Sequence, residues 1–195
     1  MTQIGILALQ GDFAEHRTIL QGMGVPAREV RLPADLTGLD GLIIPGGEST
    51  TIGKLAVTFE LMDPLRRFGQ DHALWGTCAG AILLSKDAHR EQPLLGLMDI
   101  SVKRNAFGRQ VDSFIAPLNV PALEDGERPF PAVFIRAPIL EDPGVDVNIL
   151  ATIPSLEGKS AIVAARQDHL LATSFHPELT GDDRFHRYFV RMAGG

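Results

Sequence analysis

Residues Leu74–Leu84 read LWGTCAGAILL, and the only cysteine of the chain, Cys78, lies in this stretch between two glycines. The apolar run before it is typical of a strand buried on both faces, and the run after it is typical of a helix. The segment Gly76–Gly80 matches G-x-C-x-G, the thiol form of a nucleophile elbow, in which a strand turns sharply into a helix. Glycines suit this turn because a β-carbon two residues from the nucleophile would clash.

The elbow predicts Cys78 as a nucleophile. At the amino end of a helix, the oriented N–H groups favour a thiolate over a thiol. The N–H of Ala79, directly after the cysteine, would point towards an oxyanion that forms during attack on a carbonyl. The alternative is a buried cysteine that only packs in the core, as most free cysteines do. A base near the thiol is needed to decide between these two interpretations.

Short apolar runs alternate with helical patterns in the first half of the chain. This order, with short connections, is the signature of a parallel sheet in an α/β fold. The predicted strands are Ile4–Leu9, Ala27–Leu32, Gly41–Ile44 and Ala73–Gly76. The predicted helices run from Asp12, a good N-cap, to Gly24, from Ser49–Thr51 to about Phe68, and over Ala79–Lys86.

Strands dominate the second half of the chain. The Arg166–His169 segment suits a hairpin turn, so antiparallel strands are expected to extend the mostly parallel sheet. An amphipathic helix is predicted over Asp182–Met192. No repeat, low-complexity tract or long linker divides the sequence, and residues 1–195 are therefore expected to form one domain. The strands predicted here are Ile100–Lys103, Val111–Ile115, Ala132–Arg136, Val147–Ile153, Ser160–Ala165 and Leu170–Phe175.

Composition and charge argue against several function classes. The 195 residues suffice for a hydrophobic core, and no run approaches the roughly 18 apolar residues that span a bilayer. A net charge of −6 without a basic stripe argues against binding to nucleic acid or to anionic membranes. One cysteine forms neither an intrachain disulfide nor a cysteine zinc cage, which fits a reducing cytoplasm. The N-terminus lacks a basic region before its apolar segment, so no signal peptide is expected.

Six histidines are candidates for the base, and His176 stands out within the segment Ser174–Leu179, which reads SFHPEL. Pro177 biases His176 towards extended geometry, in which side chains two residues apart share a face. Glu178 would then orient the imidazole as the third member of a nucleophile–base–carboxylate triad. The alternatives are an exposed turn after a strand and a two-ligand metal site at His176 and Glu178. The weaker candidates for the base are His169, in a turn, and His186, on a polar helix face.

A second glycine turn follows the third predicted strand. Residues Pro45–Lys54 read PGGESTTIGK, which differs from a phosphate-binding P-loop because five residues separate Gly47 from Gly53 and a leucine follows the lysine. The free N–H groups of the turn would still bind an anion or supply a second oxyanion donor. Since neighbouring parallel strands end at one edge, the turns after Ile44 and Trp75 are expected to meet. The alternative is a tight turn that needs glycine for backbone reasons only.

Together these segments resemble the class I, or triad-type, glutamine amidotransferases, and more narrowly the glutaminase subunits of pyridoxal 5′-phosphate synthase. The elbow and the His-Pro-Glu segment are shared across triad amidotransferases, whereas PGGEST, RNAFGRQVDSF and FIRAP narrow the resemblance to these subunits. The resemblance covers nearly the whole chain. Its segments are LALQG (Leu7–Gly11), PGGEST (Pro45–Thr50), GTCAG (Gly76–Gly80), RNAFGRQVDSF (Arg104–Phe114), FIRAP (Phe134–Pro138) and FHPEL (Phe175–Leu179).

The resemblance implies a three-layer class I glutamine amidotransferase fold of the flavodoxin-like type. It implies Cys78 as nucleophile, His176 as general base and acid, and Glu178 as the orienting carboxylate. It also implies an oxyanion hole formed by the N–H groups of Gly47 and Ala79. Neither a cofactor nor a metal ion is expected. The substrate-binding residues that it implies are Gly47, Glu48, Ser49, Arg104, Ile135 and Arg136.

The implied reaction is hydrolysis of L-glutamine to L-glutamate and ammonia through a γ-glutamyl thioester. The ammonia would pass to a separate synthase subunit that builds pyridoxal 5′-phosphate, and both hydrolase and lyase are predicted as reaction classes. The chemistry of glutamine agrees, because its α-carboxylate suits the guanidinium of Arg104 and its ammonium suits the carboxylate of Glu48. The role of Gln10 stays open between a contact with the partner and support of the oxyanion loop.

Three other functions stay open on the sequence alone. The chain would also fit a glutaminase that serves an imidazole glycerol phosphate or purine-pathway synthase. A cysteine hydrolase or chaperone on a related parallel sheet would share the elbow but would lack the His-Pro-Glu segment. A non-enzymatic scaffold with a vestigial triad is the third alternative, and it fits poorly because all three triad residues and the glycine loop are present.

Overall fold

A computed structural model describes residues 1–104, 113–154 and 160–195. Its helices are α1 (Phe13–Gly22), α2 (Ser49–Thr58), α3 (Met62–Asp71), α4 (Ala79–Leu84) and α5 (Arg184–Gly194), with 3₁₀ turns at Pro33–Leu36 and Pro177–Leu179. Its strands are β1 (Ile4–Leu7), β2 (Ala27–Val30), β3 (Gly41–Ile44), β4 (Ala73–Thr77), β5 (Ser85–Asp87), β6 (Met98–Lys103), β7 (Ser113–Leu118), β8 (Phe130–Ile135), β9 (Ile139–Glu141), β10 (Asn148–Pro154), β11 (Ser160–Gln167) and β12 (Leu170–Thr173).

One large sheet forms the centre of the molecule. Its strand order is β2-β1-β3-β4-β12-β11-β9-β6-β5, with β10 also paired to β11, and β7 and β8 form a separate two-stranded sheet. The strand pairs β2–β1, β1–β3, β3–β4 and β4–β12 are parallel. Strand β11 pairs antiparallel with β12, β10 and β9. The predicted α/β fold, a mostly parallel sheet with antiparallel additions in the second half, is confirmed.

The sheet is covered on both faces, which makes three layers. Successive residues of a strand point to opposite faces, so Leu42 and Leu74 pack with α2, α3 and α4, while Ile43 and Trp75 pack with α1, α5 and the β7–β8 pair. The continuous apolar runs of β1, β3 and β4 are explained by this double burial. Within the described residues, no helix is both long and apolar enough to cross a bilayer.

The single helix predicted from Ser49–Thr51 to about Phe68 is wrong, because two helices, α2 and α3, occupy this region. The break falls at Glu60, whose φ is +55°. In a continuous helix the ring of Pro64 would clash with the carbonyl of Glu60, four residues earlier, and a new helix must therefore begin. The predicted helix Ala79–Lys86 is also shorter, since Ser85 starts strand β5.

Other differences lie at element ends. Strand β9 was not predicted, and β12 ends at Thr173, two residues before the predicted end. The first two residues of the predicted strand Val111–Ile115 lie outside the described residues, and β7 runs from Ser113 to Leu118. The predicted hairpin turn is confirmed: Asp168, with a φ of +50°, and the residue after it join β11 to β12.

The elbow depends on two glycines that let three stretches of backbone approach closely. A β-carbon on Gly76 would lie 2.4 Å from the carbonyl carbon of Gly80, and one on Gly80 would lie 1.9 Å from the carbonyl oxygen of Ile44. Side-chain rotation relieves neither contact, because each obstacle is backbone. Helix α4 therefore packs directly on the ends of β3 and β4, and the turns after these strands meet as predicted.

Gly80→Ala is expected to lower the free energy of unfolding by about 3 kcal/mol, at the upper end for overpacking, because its β-carbon meets backbone. Gly22→Ala is the matched control, since a β-carbon there meets nothing within 4 Å. Alanine stabilises a helix over glycine by up to ~1 kcal/mol, so the control should be neutral or more stable. Urea unfolding of both variants measures the difference, and equal losses would contradict this account of the elbow.

Candidate active site

Cys78 occupies a backbone conformation that few non-glycine residues adopt. Its φ is +47° and its ψ is −101°, between the end of β4 and the start of α4. Its N–H donates to the carbonyl of Thr173 at 2.8 Å, which fixes the turn to the neighbouring strand. The Sγ atom lies 3.9 Å from the carbonyl oxygen of Ile135. Such strain at a single residue is typical of functional sites, where the surrounding structure holds it in place.

His176 and Glu178 lie beside the elbow, as predicted. The Nδ1 atom of His176 lies 2.7 Å from Oε1 of Glu178, and the side chains of both residues are buried. The backbone differs from the extended form expected, because Pro177 starts a 3₁₀ turn and His176 precedes it with a φ of −105° and a ψ of 86°. The turn, rather than a strand, brings the carboxylate onto the imidazole.

The electrostatics of this pair favour a charged imidazole. Burial lowers the pKa of His176, but its hydrogen bonds to Asp12, Cys78 and Glu178 outweigh burial and raise that pKa. Since Nδ1 faces the carboxylates, Nε2 is the nitrogen left for the Cys78 thiol. Burial raises the pKa of Glu178, and the hydrogen bond and charge of His176 oppose this effect. An imidazolium next to the thiol is the setting that stabilises a thiolate.

Asp12 is a site residue that the sequence indicated only as an N-cap. It occupies the cap position of α1, but its side chain makes no capping hydrogen bond, and Oδ2 lies 3.3 Å from Nδ1 of His176. The ligand atoms of Asp12, His176 and Glu178 lie within 4.8 Å of one another, so these three residues could hold a metal ion. A metal there would take the place of the Nδ1 proton. Nδ1 of His176 can therefore either bind a metal ion or donate a hydrogen bond to these carboxylates, but not both at once.

An open cavity of about 390 Å³ adjoins the thiol and the imidazole. Its size is in the range of small-molecule sites. Glu178 lies behind His176, away from the cavity. Every other predicted site residue lines it, together with several that the sequence did not single out. The predicted residues in the lining are Gly47, Glu48, Ser49, Cys78, Ala79, Arg104, Ile135, Arg136 and His176, and the others are Gln10, Asp12, Ile82, Pro138 and Leu179.

The glycine loop is anchored on both sides of Gly47. The carbonyl of Gly46 accepts a hydrogen bond from the N–H of Asp12 at 3.1 Å, and the N–H of Glu48 donates to Oε1 of Gln10 at 2.7 Å. Gly47 has a φ of +151°, and a β-carbon there would lie 2.6 Å from the same Gln10 oxygen. Of the two roles left open for Gln10, the structure shows support of the loop.

Arg104 and Glu48 form an ion pair at the cavity. Nη2 of Arg104 lies 3.2 Å from Oε1 of Glu48, and Nη1 lies 3.3 Å from Oε1 of Gln92. Glu48 also caps α2 by accepting from the N–H groups of Thr50 and Thr51. Burial raises the pKa of Glu48, but the hydrogen bonds from Thr51 and Thr50 outweigh it and lower that pKa to about 2. Residues 105–112, which carry part of the RNAFGRQVDSF segment, lie outside the described residues.

Two buried histidines, His16 and His186, lie behind the site, and the sequence patterns predicted the burial of neither. His186 was placed on a polar helix face, which is wrong: its side chain is fully buried, and Nε2 lies 2.9 Å from Nδ1 of His16. Burial, aided by the nearby His186 and His176, holds the pKa of His16 well below its usual value. Burial lowers the pKa of His186 to about 3, and Asp183 opposes the shift. The spacing of Asp12 and His16, one helical turn apart, is the signal that would have found His16.

The architecture and the site define the class. A solved structure described as a glutamine amidotransferase matches with a TM-score of 0.89 and 49% identity over 98% of this chain and 99% of that chain. A protein of Thermoplasma acidophilum, described as part of a GMP synthase, matches with a TM-score of 0.67 and 17% identity, covering 100% and 94% of the two chains, and shares the fold alone. The fold is that of the class I glutamine amidotransferases.

The model of the SNO glutamine amidotransferase family matches residues 6–194. The pyridoxal 5′-phosphate synthase subunit PdxT of Herpetosiphon aurantiacus is 57% identical over 194 residues, covering 97% of this chain and 99% of the relative. The chain belongs to the SNO glutamine amidotransferase family. The lyase class predicted from the sequence is wrong, because the reaction of a glutamine-hydrolysing amidotransferase splits the amide with water, which is hydrolase chemistry.

The buried histidines predict a specific acid sensitivity. Because the pKa of His186 is near 6.5 when unfolded and about 3 when folded, the unfolded state binds its proton first as the pH falls. This group should therefore remove about 2 to 3 kcal/mol of stability between pH 7.5 and 4.5. His186→Phe keeps an aromatic ring against Trp75. Between pH 7.5 and 4.5 it should lose about 2 to 3 kcal/mol less stability than the wild type loses.

Urea unfolding at the two pH values gives the free energies, with the exposed His72→Gln variant as control. The same loss in His186→Phe as in the wild type would contradict the burial of a neutral His186.

Proposed function

We propose that this chain is the glutaminase subunit of a pyridoxal 5′-phosphate synthase and hydrolyses L-glutamine through Cys78, His176 and Glu178. The observation that carries the proposal is the contact of His176 with Glu178 on one side and with the thiol of the strained elbow on the other. Family membership and the similarity to PdxT support the same substrate and pathway. The residue roles below are part of the proposal.

In the first step, the Cys78 thiolate attacks the side-chain carbonyl carbon of glutamine and forms a tetrahedral intermediate. His176 starts as the imidazolium, since its hydrogen bonds raise its pKa. It donates its Nε2 proton to the departing nitrogen, the C–N bond breaks, and ammonia leaves. The product is a γ-glutamyl thioester on Cys78, next to a neutral His176. Glu178 keeps the imidazole ring oriented throughout by its 2.7 Å hydrogen bond.

The oxyanion of the intermediate is held by two backbone N–H groups, those of Gly47 and Ala79. Ala79 begins α4 directly after the nucleophile, where the first N–H groups of a helix lack partners within it. Gly47 lies between the anchors that Asp12 and Gln10 provide on either side. Each such donor contributes about 3 kcal/mol to stabilisation of the transition state.

In the second step, water hydrolyses the thioester. Neutral His176 accepts a proton from the water as it attacks the thioester carbonyl. The C–S bond breaks, glutamate leaves, and the Cys78 thiolate and the imidazolium are restored. The reaction consumes one water and one glutamine and releases one ammonia and one glutamate.

The Arg104–Glu48 pair supports recognition of the α-amino and α-carboxylate groups of the substrate. A free amino acid carries the same two charges, at a separation similar to the 3.2 Å contact of the pair. Its carboxylate would replace Glu48 at the guanidinium, and its ammonium would replace the guanidinium at Glu48. Ser49, Ile135 and Arg136 complete the substrate site around the cavity.

The remaining parts of the proposal concern the protein as a whole. Residues 1–195 form one glutaminase domain, supported by the family match over residues 6–194. The partner is a synthase subunit that receives the ammonia, as in the synthase named for the relatives. The location is the cytoplasm, where a cysteine nucleophile stays reduced. The mechanism itself calls on no cofactor.

Cys78→Ala should abolish glutaminase activity, because no other group can form the thioester. The measurement is glutamate release from glutamine by the chain alone and with a pyridoxal 5′-phosphate synthase subunit. The wild type should be strongly stimulated by the partner, and the variant should fall roughly 10⁴-fold below it. Turnover by the variant would remove Cys78 from the chemistry. If the wild type is active but the synthase subunit does not stimulate it, the result would support the glutaminase function and contradict the proposed partner.

Arg104→Ala should raise the KM for glutamine about 10- to 100-fold, the effect of losing a charge-assisted hydrogen bond, with kcat within about threefold. Steady-state kinetics of the complex measures both constants. Arg191→Ala is the matched control, because Arg191 pairs with Glu124 on the exposed face of α5. A KM of wild-type size in Arg104→Ala would exclude this arginine from the substrate site.

A further inference from the structure

A row of buried polar side chains continues from Glu178 away from the cavity. Oε1 of Glu178 accepts the hydrogen bond from His176, and its second oxygen, Oε2, lies 3.3 Å from Nε2 of His16. Nδ1 of His16 lies 2.9 Å from Nε2 of His186. The side chains of Glu178 and His16 are fully buried, and so is His186. The row links α1, the 3₁₀ turn at Pro177–Leu179 and α5.

The two histidine rings are held against the core. Both pack edge-on to the indole of Trp75, with ring centroids 5.7 Å away for His16 and 5.0 Å for His186. Trp75 is itself tied to the sheet, because its Nε1 donates to Oγ1 of Thr173 at 3.1 Å. Both rings therefore pack on a side chain whose own position is fixed. The row is a built feature of the interior with fixed ring positions.

The donor and acceptor pattern selects one tautomer for each ring. Oε2 of Glu178 accepts no well-aligned hydrogen bond within the described part of the chain, and a carboxylate oxygen only accepts. The proton of a neutral His16 must then sit on Nε2, where it is shared between Oε2 and Oγ1 of Thr77, also 3.3 Å away. That leaves Nδ1 of His16 as an acceptor. His186 must donate to it from Nε2.

The opposite assignment is unfavourable at both ends of the row. It would place the unprotonated Nε2 of His16 against a carboxylate oxygen, two acceptors with no proton between them. It would also leave an N–H on Nδ1 of His186, an atom that is buried without a partner within the described residues. A buried N–H without an acceptor costs about 1 to 3 kcal/mol. Burial keeps both histidines neutral, in agreement with their lowered pKa values.

We propose that His16 is a positioning residue of the triad: a neutral imidazole, oriented by His186, that donates its Nε2 proton towards Glu178 and so fixes the carboxylate against His176. The hydrogen-bonding role of His16 is inferred from the geometry alone, whereas its effect on the reaction rate rests on the proposed glutaminase function. Without His16, one oxygen of a fully buried carboxylate has no N–H beside it. The carboxylate would then rotate or take up a proton, and either change weakens its hold on His176.

The pH dependence follows from the groups that face this row. A donor to Glu178 favours its charged form, so loss of the donor raises the pKa of Glu178 further above the value that burial already imposes. The acid limb of the rate profile then moves to higher pH. The charged and titratable side chains that face the row from the packed elements are Asp12, Cys78, His176, Glu178, His16, His186 and Asp183.

The test compares His16→Leu with His16→Gln in the complex with the synthase subunit. Leucine removes the N–H that faces Glu178 and the acceptor for His186, whereas glutamine can donate towards Glu178 and accept from His186. His16→Leu should lower kcat about 10- to 100-fold with KM within about threefold, and its acid limb should move to higher pH. His16→Gln should recover kcat to within about threefold of the wild type. His169→Gln is the control, because His169 lies outside the row and its Nε2 lies 2.9 Å from the carbonyl oxygen of Gly69.

Two results would overturn the proposal. One is a wild-type kcat and acid limb in His16→Leu. The other is an equal loss in His16→Leu and His16→Gln, which would assign the effect to shape rather than to hydrogen bonding. Thermal unfolding of each variant accompanies the kinetics.

A measurement on the wild-type protein needs neither folding of a variant nor glutamine turnover. Nitrogen-15 NMR of histidine-labelled protein should show His16 and His186 neutral at pH 7, each with its proton on Nε2. A His16 proton on Nδ1 alone would overturn the proposal. If the complex does not hydrolyse glutamine, the proposed function is wrong, but the role of His16 can still be tested. The rate at which iodoacetamide alkylates Cys78 at about pH 6 then replaces kcat as the readout. His16→Leu should react more slowly than the wild type.

Discussion

The close approach of Gly80 to the carbonyl oxygen of Ile44 is the constraint on which the site depends. It seats α4 on the ends of two central parallel strands, β3 and β4, with no side chain between them. This packing helps to hold Cys78 at a φ of +47°, where it faces the cavity at the sheet edge. The glycine loop after β3 meets the elbow for the same reason, which places Gly47 and Ala79 on one cavity. The fold is thus organised around a backbone contact.

The sequence was a good guide wherever chemistry is carried by short, local patterns. The glycine spacing of the elbow, the order of apolar runs and the His-Pro-Glu segment were sufficient to predict the α/β sheet and to bring Cys78, His176 and Glu178 together. The helix break was missed although its cause is local, because the prediction followed apolar periodicity and did not apply the clash of Pro64 with the carbonyl of Glu60. Element ends such as that of β12 depend on sheet pairing, which is non-local.

Non-local contacts also explain which site residues the sequence missed. Asp12 looks like a helix cap, and only the fold shows its carboxylate turned to His176. His186 lies on an amphipathic helix next to Arg187, and its burial comes from packing on Trp75. His16 and Glu178 are far apart in the chain yet 3.3 Å apart in space. A polar network in the core cannot be found from periodicity, because its members are defined by partners and not by spacing.

The most direct test of the chemistry is mass spectrometry of the complex with its synthase subunit, quenched in acid while it turns over isotope-labelled glutamine. Acid slows hydrolysis of a thioester, so an intermediate present during turnover should remain attached through digestion. A labelled glutamyl group on the peptide that contains Cys78, and on no other peptide, is the predicted result. Steady turnover with the label on a different residue, or with no label in any peptide even at early quench times, would contradict a γ-glutamyl thioester on Cys78.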